Sequence, residues 1–170
     1  MDSLFLTLAV ITTGLYAGFM LTFLVAIMPG LAALPDEAFA AAMRRFNEKV
    51  PGPAFLVLFL GVIAFPAVAA FTEYGEDGWP LVAVALVCAV VSHLVTIAGN
   101  IPLNQALAQS EREPGGGGEP GGGGGDSAAE PGDGGGDSAA RTAFEARWNA
   151  LHRFRTALSL AAFVLLAFAG

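Results

Sequence analysis

Residues 92–104 read SHLVTIAGNIPLN, and they close a long apolar run in which no Asp, Glu, Lys or Arg occurs between Asp77 and Glu111. Wound as a helix, His93, Thr96, Asn100 and Asn104 fall near one line, because steps of three, four and four residues return to almost the same face. A hydrophobic helix therefore carries one polar stripe. An unpaired amide or imidazole is costly in hydrocarbon, so such a stripe faces other helices or a wet cavity rather than lipid. The stretch thus predicts a bundle of membrane-spanning helices with an interior worth reading for function.

Composition agrees. The 170 residues are 55% hydrophobic and 14% charged, with mean hydropathy +0.62, too apolar for a water-soluble domain of this length. The net charge of -7 is local: Glu111 to Ala140 holds seven acids and one Arg, leaving the remainder at -1. The acidity therefore describes one segment and implies no cationic partner, and nothing points to nucleic acid. The single Cys88 cannot form an intramolecular disulfide and reads as a small buried side chain.

Taken in order, residues 4–28 are expected to form a first span, ended by Pro29-Gly30 and Pro35. Its terminus lacks the basic n-region of a signal peptide, so the span is expected to be retained. Thr12, Thr13, Tyr16 and Thr22 can line an interior, although hydroxyls in such helices more often bond their own backbone. Residues 36–50, DEAFAAAMRRFNEKV, begin with acids and end with cations. Phe39, Met43, Phe46 and Val50 recur at helical spacing, with Arg44, Arg45, Glu48 and Lys49 largely elsewhere on the circumference. This is the pattern of a short amphipathic helix along the membrane surface.

Two further spans follow at about 54–72 and 80–102, with Trp79-Pro80 suited to an interface and a first helical turn. Residues 113–140 repeat EPGGGG and GDSAA units, which have no apolar surface to bury and are expected to be a disordered acidic linker. A fourth span must then reach back from Gly170 to about Ala150, because fifteen residues after Arg155 fall short of the roughly 20 that a crossing needs. His152, Arg153 and Arg155 are thereby placed at the membrane boundary or within it. Glu145, Asn149, His152 and Thr156 repeat at steps of four, three and four, a second polar stripe.

All eight Lys and Arg fall between spans one and two or between spans three and four. By the positive-inside rule these connections, including the Gly-rich loop, are expected in the cytoplasm, with both termini outside a bacterial plasma membrane. The expected fold is all-α: a four-span transmembrane helical bundle with one interfacial helix between spans one and two. Asn100, Asn104, Glu145, Asn149 and His152 are then expected to converge near one face. His93 lies about 10 Å deeper than Asn100 at about 1.5 Å per residue, which makes it a poor co-ligand for His152.

GNIPLN at Gly99 to Asn104, MRRFN at Met43 to Asn47 and FEARWNALHRFRT at Phe144 to Thr156 resemble the anthrone oxygenase-like small membrane proteins. The likeness covers most of the chain outside the Gly-rich insertion, which is a departure from it. The resemblance implies a four-span bundle and a membrane oxidoreductase, a monooxygenase that uses dioxygen to oxidise anthrones to anthraquinones in aromatic polyketide pathways.

Carried onto this chain, such chemistry needs a flat apolar cavity, a base, and donors for a developing enolate. His152 is the expected base, with Glu145 as its orienting partner or an alternate base. Asn100, Asn104 and Asn149 are the expected donors, and Arg155 or Arg45 the anion stabiliser. Trp148 would stack on the substrate, or anchor at the interface. Asn47, His93 and Thr96 complete the expected substrate-binding set, although His93 also reads as a buried structural group and the asparagines as helix-helix ties. No cofactor is expected beyond dioxygen as co-substrate, with metal or haem left open by two histidines and no Cys-His cluster. The expected partners are the lipid bilayer and a hydrophobic aromatic small molecule; a homo-oligomer is compatible with the sequence. Two rival readings are a noncatalytic transport or assembly subunit and a metal- or haem-dependent oxidoreductase. An enzyme should show an apolar pocket beside Asn100 and His152, whereas a structural role should leave those side chains saturated by one another.

Overall fold

The computed structural model describes residues 4–110 and 135–170. Its elements are α1 (Leu4–Thr22), a π-helical turn (Phe23–Ile27), α2 (Met28–Ala32), α3 (Asp36–Lys49), α4 (Pro53–Thr72), α5 (Trp79–Val95), a second π-helical turn (Thr96–Asn100), α6 (Ile101–Gln109) and α7 (Gly135–Ala167). Each π turn joins its flanking helices into one rod. Four helical stretches are long and apolar enough to cross a membrane: Leu4–Ala32, Pro53–Thr72, Trp79–Gln109 and Ser138–Ala167. The chain is an all-α, four-span integral membrane protein.

Both π turns stand just before a proline, Pro29 and Pro102, near the start of the following helix. Proline has no N–H and its ring crowds the carbonyl four residues back, and a locally widened turn accommodates both without ending the helix. The third helix consequently runs on to Gln109, past the expected boundary near Pro102. The fourth also differs from expectation. Helix α7 starts at Gly135, so residues 135–140, expected as linker, are helical, and the helix is longer than the expected 150–169. The rest of that linker, residues 113–134, lies outside the described residues.

Small side chains let the rods approach closely. Ala9, Ala69, Ala85 and Ala162 are fully buried in the cluster at the end of the bundle near the chain termini. Across the bundle Gly99 faces Leu151 and Gly14 faces Phe163, so closely that a methyl group on either glycine would lie 2.8 Å from its neighbour. Ser92 Oγ lies 3.2 Å from the backbone oxygen of Arg155 and 3.1 Å from Ser159 Oγ, tying α5 to α7. Large apolar side chains such as Val57, Leu60 and Leu94 are more than half exposed, forming the surface that meets lipid.

Helix α3 does more than lie on a membrane. Phe39 and Met43 are fully buried among Phe23, Leu107, Phe144 and Trp148, so its apolar face is spent on protein contacts. Arg44, expected on the polar side, is turned inward instead. Its Nε donates to Leu107 O at 3.1 Å and its Nη2 to Ser110 Oγ at 3.2 Å, satisfying carbonyl and hydroxyl acceptors at the end of α6. Arg141 makes a second tie at this end of the bundle. It donates to Ala32 O, Leu34 O, Asp36 and Glu145 at 2.8–3.0 Å and lies 4.5 Å from the centre of the Phe39 ring. Helix α3 thereby floors the bundle on the side of its longer connections.

Candidate functional site

Above that floor, between α1, α4, the Thr96–Asn100 turn and α7, lies a cavity of about 190 Å³. Phe19, Phe23, Phe46, Phe55 and Phe59 line its apolar walls, and Asn47, Thr96, Asn100, Asn104, Trp148 and Arg155 supply its polar groups. The phenylalanines come from two i,i+4 pairs, Phe19/Phe23 on the first rod and Phe55/Phe59 on α4, with Phe46 from α3; the pairs follow from helical periodicity. The volume is below the roughly 300–1,000 Å³ usual for drug-sized ligands. It suits a compact molecule.

Among the described residues Arg155 is the one charged residue in this lining, and it is only 7% exposed. It stands twelve residues before the end of α7, or about 18 Å at about 1.5 Å per residue, and its guanidinium is turned into the protein rather than out to the membrane surface. Its Nε donates to His152 Nδ1 at 3.0 Å and its Nη1 to Thr96 Oγ1 at 3.1 Å, and its guanidinium lies 5.5 Å from the centre of the Trp148 ring. Among the described residues no carboxylate forms an ion pair with it. A desolvated cation held by neutral groups is an arrangement that folding alone does not favour.

His152 lies behind the lining rather than in it. The ring is fully buried, stacked on Trp148 at 4.7 Å between centroids and edge-on to Phe23. Its Nε2 donates to Met20 O at 2.9 Å while its Nδ1 accepts from Arg155. Those two bonds define one neutral tautomer and occupy the lone pair that a base would use. Phe144, Trp148 and His152 form a stacked ladder along α7, and Trp148 Nε1 donates to Asn104 Oδ1 at 2.9 Å.

Two polar atoms at the cavity stay unsatisfied. Asn100 Nδ2 makes a long contact of 3.4 Å to Trp148 O, and among the described residues neither its Oδ1 nor the buried Nδ2 of Asn47 has a partner. A buried polar atom without a partner costs about 1–3 kcal/mol, so the pair favours an occupant with complementary groups. Nearby, the Tyr16 hydroxyl also lacks a hydrogen bond of good geometry, although Thr96 and Arg155 are close enough to interact with it.

The structure separates the remaining expected site residues from this cavity. Glu145 pairs with Arg141 at 2.8 Å and, with Asn149, lines an open polar groove on the other side of α7. Arg45 is exposed and pairs with Glu48 at 3.2 Å. His93 lies 2.9 Å from Ala89 O and 2.7 Å from Phe59 O, with its ring against Phe59 and Tyr16. A neutral ring donates to only one of those carbonyls, and in either tautomer it braces α4 against α5. Thr12 and Thr22 bond their own helix at Leu8 O and Gly18 O. The aromatic walls and the engagement of both His152 nitrogens were not anticipated from sequence, although the i,i+4 phenylalanine pairs were a readable signal. Among the described residues no three His, Cys, Asp or Glu side chains gather as metal ligands do.

No curated protein and no solved structure matches the chain. The family model for anthrone oxygenase matches residues 39–165, a stretch that contains every polar residue of the cavity lining.

Proposed function

Since this chain belongs to the anthrone oxygenase family, we propose that it is a membrane monooxygenase that binds an anthrone-like aromatic as its anion and oxidises it with dioxygen. The observation that carries this reading is Arg155, a buried cation at a phenylalanine-walled cavity with no carboxylate paired to it among the described residues.

An anthrone exchanges its acidic methylene proton for a delocalised carbanion whose charge rests mainly on the carbonyl oxygen. Arg155 is placed to stabilise that enolate oxygen in a water-poor site, where a preorganised donor is worth far more than in water. The walls hold the ring system, with Trp148 adding an aromatic face. Asn100 Oδ1 and Asn47 Nδ2 offer an acceptor and a donor to ring hydroxyl or carbonyl groups. The anion supplies its own electrons. It reduces dioxygen at the former methylene carbon, forming a C–O bond to a peroxide. Loss of the remaining hydrogen on that carbon, with O–O cleavage, gives the quinone carbonyl and one water, so one anthrone and one dioxygen become one anthraquinone and one water. No cofactor is required by this balance.

In this scheme His152 positions Arg155 and is not the base, because its lone pair is already engaged; Glu145 and Asn149, across α7, hold no role at the cavity. Stabilisation of the ionised substrate takes the place of a dedicated base, and the proton passes to water at the cavity's polar end, past the half-buried Asn47 and Asn104. The distribution of cations supports an orientation with α3 and the Gly-rich connection in the bacterial cytoplasm.

The test is oxygen uptake by an anthrone in matched membranes with and without the protein. The reading expects quinone and consumed dioxygen in equal amounts, at a rate above the protein-free control and unchanged by a metal chelator. No rate above that control would remove the proposed substrate, and the noncatalytic reading would take its place.

A further inference from the structure

The cavity has a mouth, and its rim is apolar. Pro51, Leu56 and Ile101 line the cavity and are also exposed, Leu56 by 45% and Ile101 by 39%. Helix α4 explains the gap. Its buried residues are Gly61, Val62, Pro66 and Ala69, and its first eight residues contribute none. It packs through Val62 and Ala69 into buried clusters that include Ala89, Val82 and Ala85 of α5, but its opening turns stand away from the Thr96–Ile101 stretch. The cavity occupies that splay. Beyond the rim, Val57, Leu60, Leu94 and Ile97 are all more than half exposed and bear no polar group that would favour water. On the side of the longer connections the cavity is bounded by Phe46, Asn47 and Val50.

We propose that this cavity exchanges its ligand directly with the hydrocarbon of the bilayer, through a lateral portal between the first turns of α4 and the Thr96–Ile101 stretch, with Leu56 and Ile101 as its two jambs. The occupant this portal fits is a flat, uncharged apolar molecule dissolved in the membrane, which meets Arg155 only after leaving lipid. Charge is then created inside the cavity rather than carried across the apolar rim, where an anion would be strongly disfavoured. The supply of ligand is set by its partition into the bilayer. A lipophilic product leaves by the same opening. The inference rests on the shape and lining of the cavity and does not depend on the oxidation chemistry.

Trp148 is 3% exposed and lines the cavity, which makes its fluorescence a reporter of what enters. With Trp79→Phe as background, Trp148 is the one remaining tryptophan. In liposomes, a lipid-confined nitroxide such as 10-doxylnonadecane should quench Trp148 strongly, while aqueous acrylamide should quench it weakly. Enlarging both jambs in Leu56→Phe/Ile101→Phe should reduce the lipid-side quenching several-fold. Leu94→Phe, on the same lipid-facing surface but outside the rim, should leave it unchanged and shows that added bulk alone is not responsible. Unfolding of the double variant would expose Trp148 to acrylamide and is therefore distinguished from closure; in that event the single variants Leu56→Phe and Ile101→Phe, each expected to give part of the reduction, carry the comparison. Strong quenching by acrylamide in the folded background protein would overturn the portal in favour of an aqueous mouth. Unchanged lipid-side quenching in the folded jamb variants, or weak quenching by both agents at the start, would overturn it as well.

Discussion

Arg155 Nε donates to His152 Nδ1 across 3.0 Å, and the same imidazole donates from Nε2 to Met20 O at 2.9 Å. The chain Met20–His152–Arg155 therefore runs from a backbone carbonyl on the first rod to a cation on the fourth. It aims the guanidinium at the cavity and leaves the imidazole no free lone pair. In the proposed function Arg155 is the residue that meets the substrate, and His152 the residue that holds it in place.

Arg155→Gln should separate function from stability. Loss of one preorganised donor to a developing oxyanion lowers kcat by about 10²–10³-fold, and Arg155→Lys should recover part of it by restoring charge without the planar fork. Thermal stability should change little. The two hydrogen bonds lost, at about 1 kcal/mol each, are offset by removing a desolvated cation that no carboxylate among the described residues balances. Oxygen-uptake rates and melting curves on the same preparations check both statements.

Substitutions at His152 should tell positioning from proton transfer. His152→Phe keeps a ring against Trp148 but removes the donor to Met20 O, costing about 1 kcal/mol, and releases Arg155, for which a misplacement of about 1 Å can cost about 10²-fold in rate. His152→Gln offers an amide N–H to Met20 O and an amide oxygen to Arg155, and should recover most of that rate. Equal inactivity of the Phe and Gln variants in folded protein would restore the imidazole to the role of base.

Trp148→Phe retains an aromatic face but removes the 2.9 Å bond to Asn104 Oδ1. The expected loss is about 1 kcal/mol, or roughly fivefold in KM, with kcat little changed. Steady-state kinetics over a range of membrane-partitioned substrate concentrations provides the comparison.

Helix approach at the cavity wall can be tested through Gly99. A β-carbon there would lie 2.8 Å from Leu151 Cδ1, the end of a side chain with some freedom to turn. Gly99→Val should cost about 1–3 kcal/mol through overpacking. Combining it with Leu151→Ala should recover part of that loss, with a coupling of about 0.5–3 kcal/mol. Additive losses in denaturation would show that the clash is relieved elsewhere.

Much of this architecture was legible because hydrocarbon imposes few solutions. Uncharged runs near 20 residues had to be helices, and polar groups on them had to turn inward. Of those on the spans, Thr96, Asn100, Asn104, Trp148 and Arg155 line the cavity. His93 is buried as well but braces α4 against α5 away from the cavity, because the π-helical turn at Thr96–Asn100 lengthens the hydrogen-bonded ring, so counting at 3.6 residues per turn no longer puts His93 on the line of Asn100. Glu145 and Asn149 belong to a genuine stripe on α7, but at their level the neighbour is the α2–α3 junction with Asp36, a tertiary fact that helical spacing does not contain. Arg44 shows the same limit. Its neighbour Arg45 is exposed, and only the docking of α3 against α6 selects which of the two turns inward.

The claim that Arg155 awaits an anionic ligand is tested most directly without turnover, by anaerobic absorption titration of the membrane-reconstituted protein with an anthrone at neutral pH. The account predicts that bound anthrone shows the absorption band of its ionised form with the intact protein, and the neutral form's spectrum with Arg155→Gln. A neutral spectrum with the intact protein, or the same ionised band with both proteins, would contradict it.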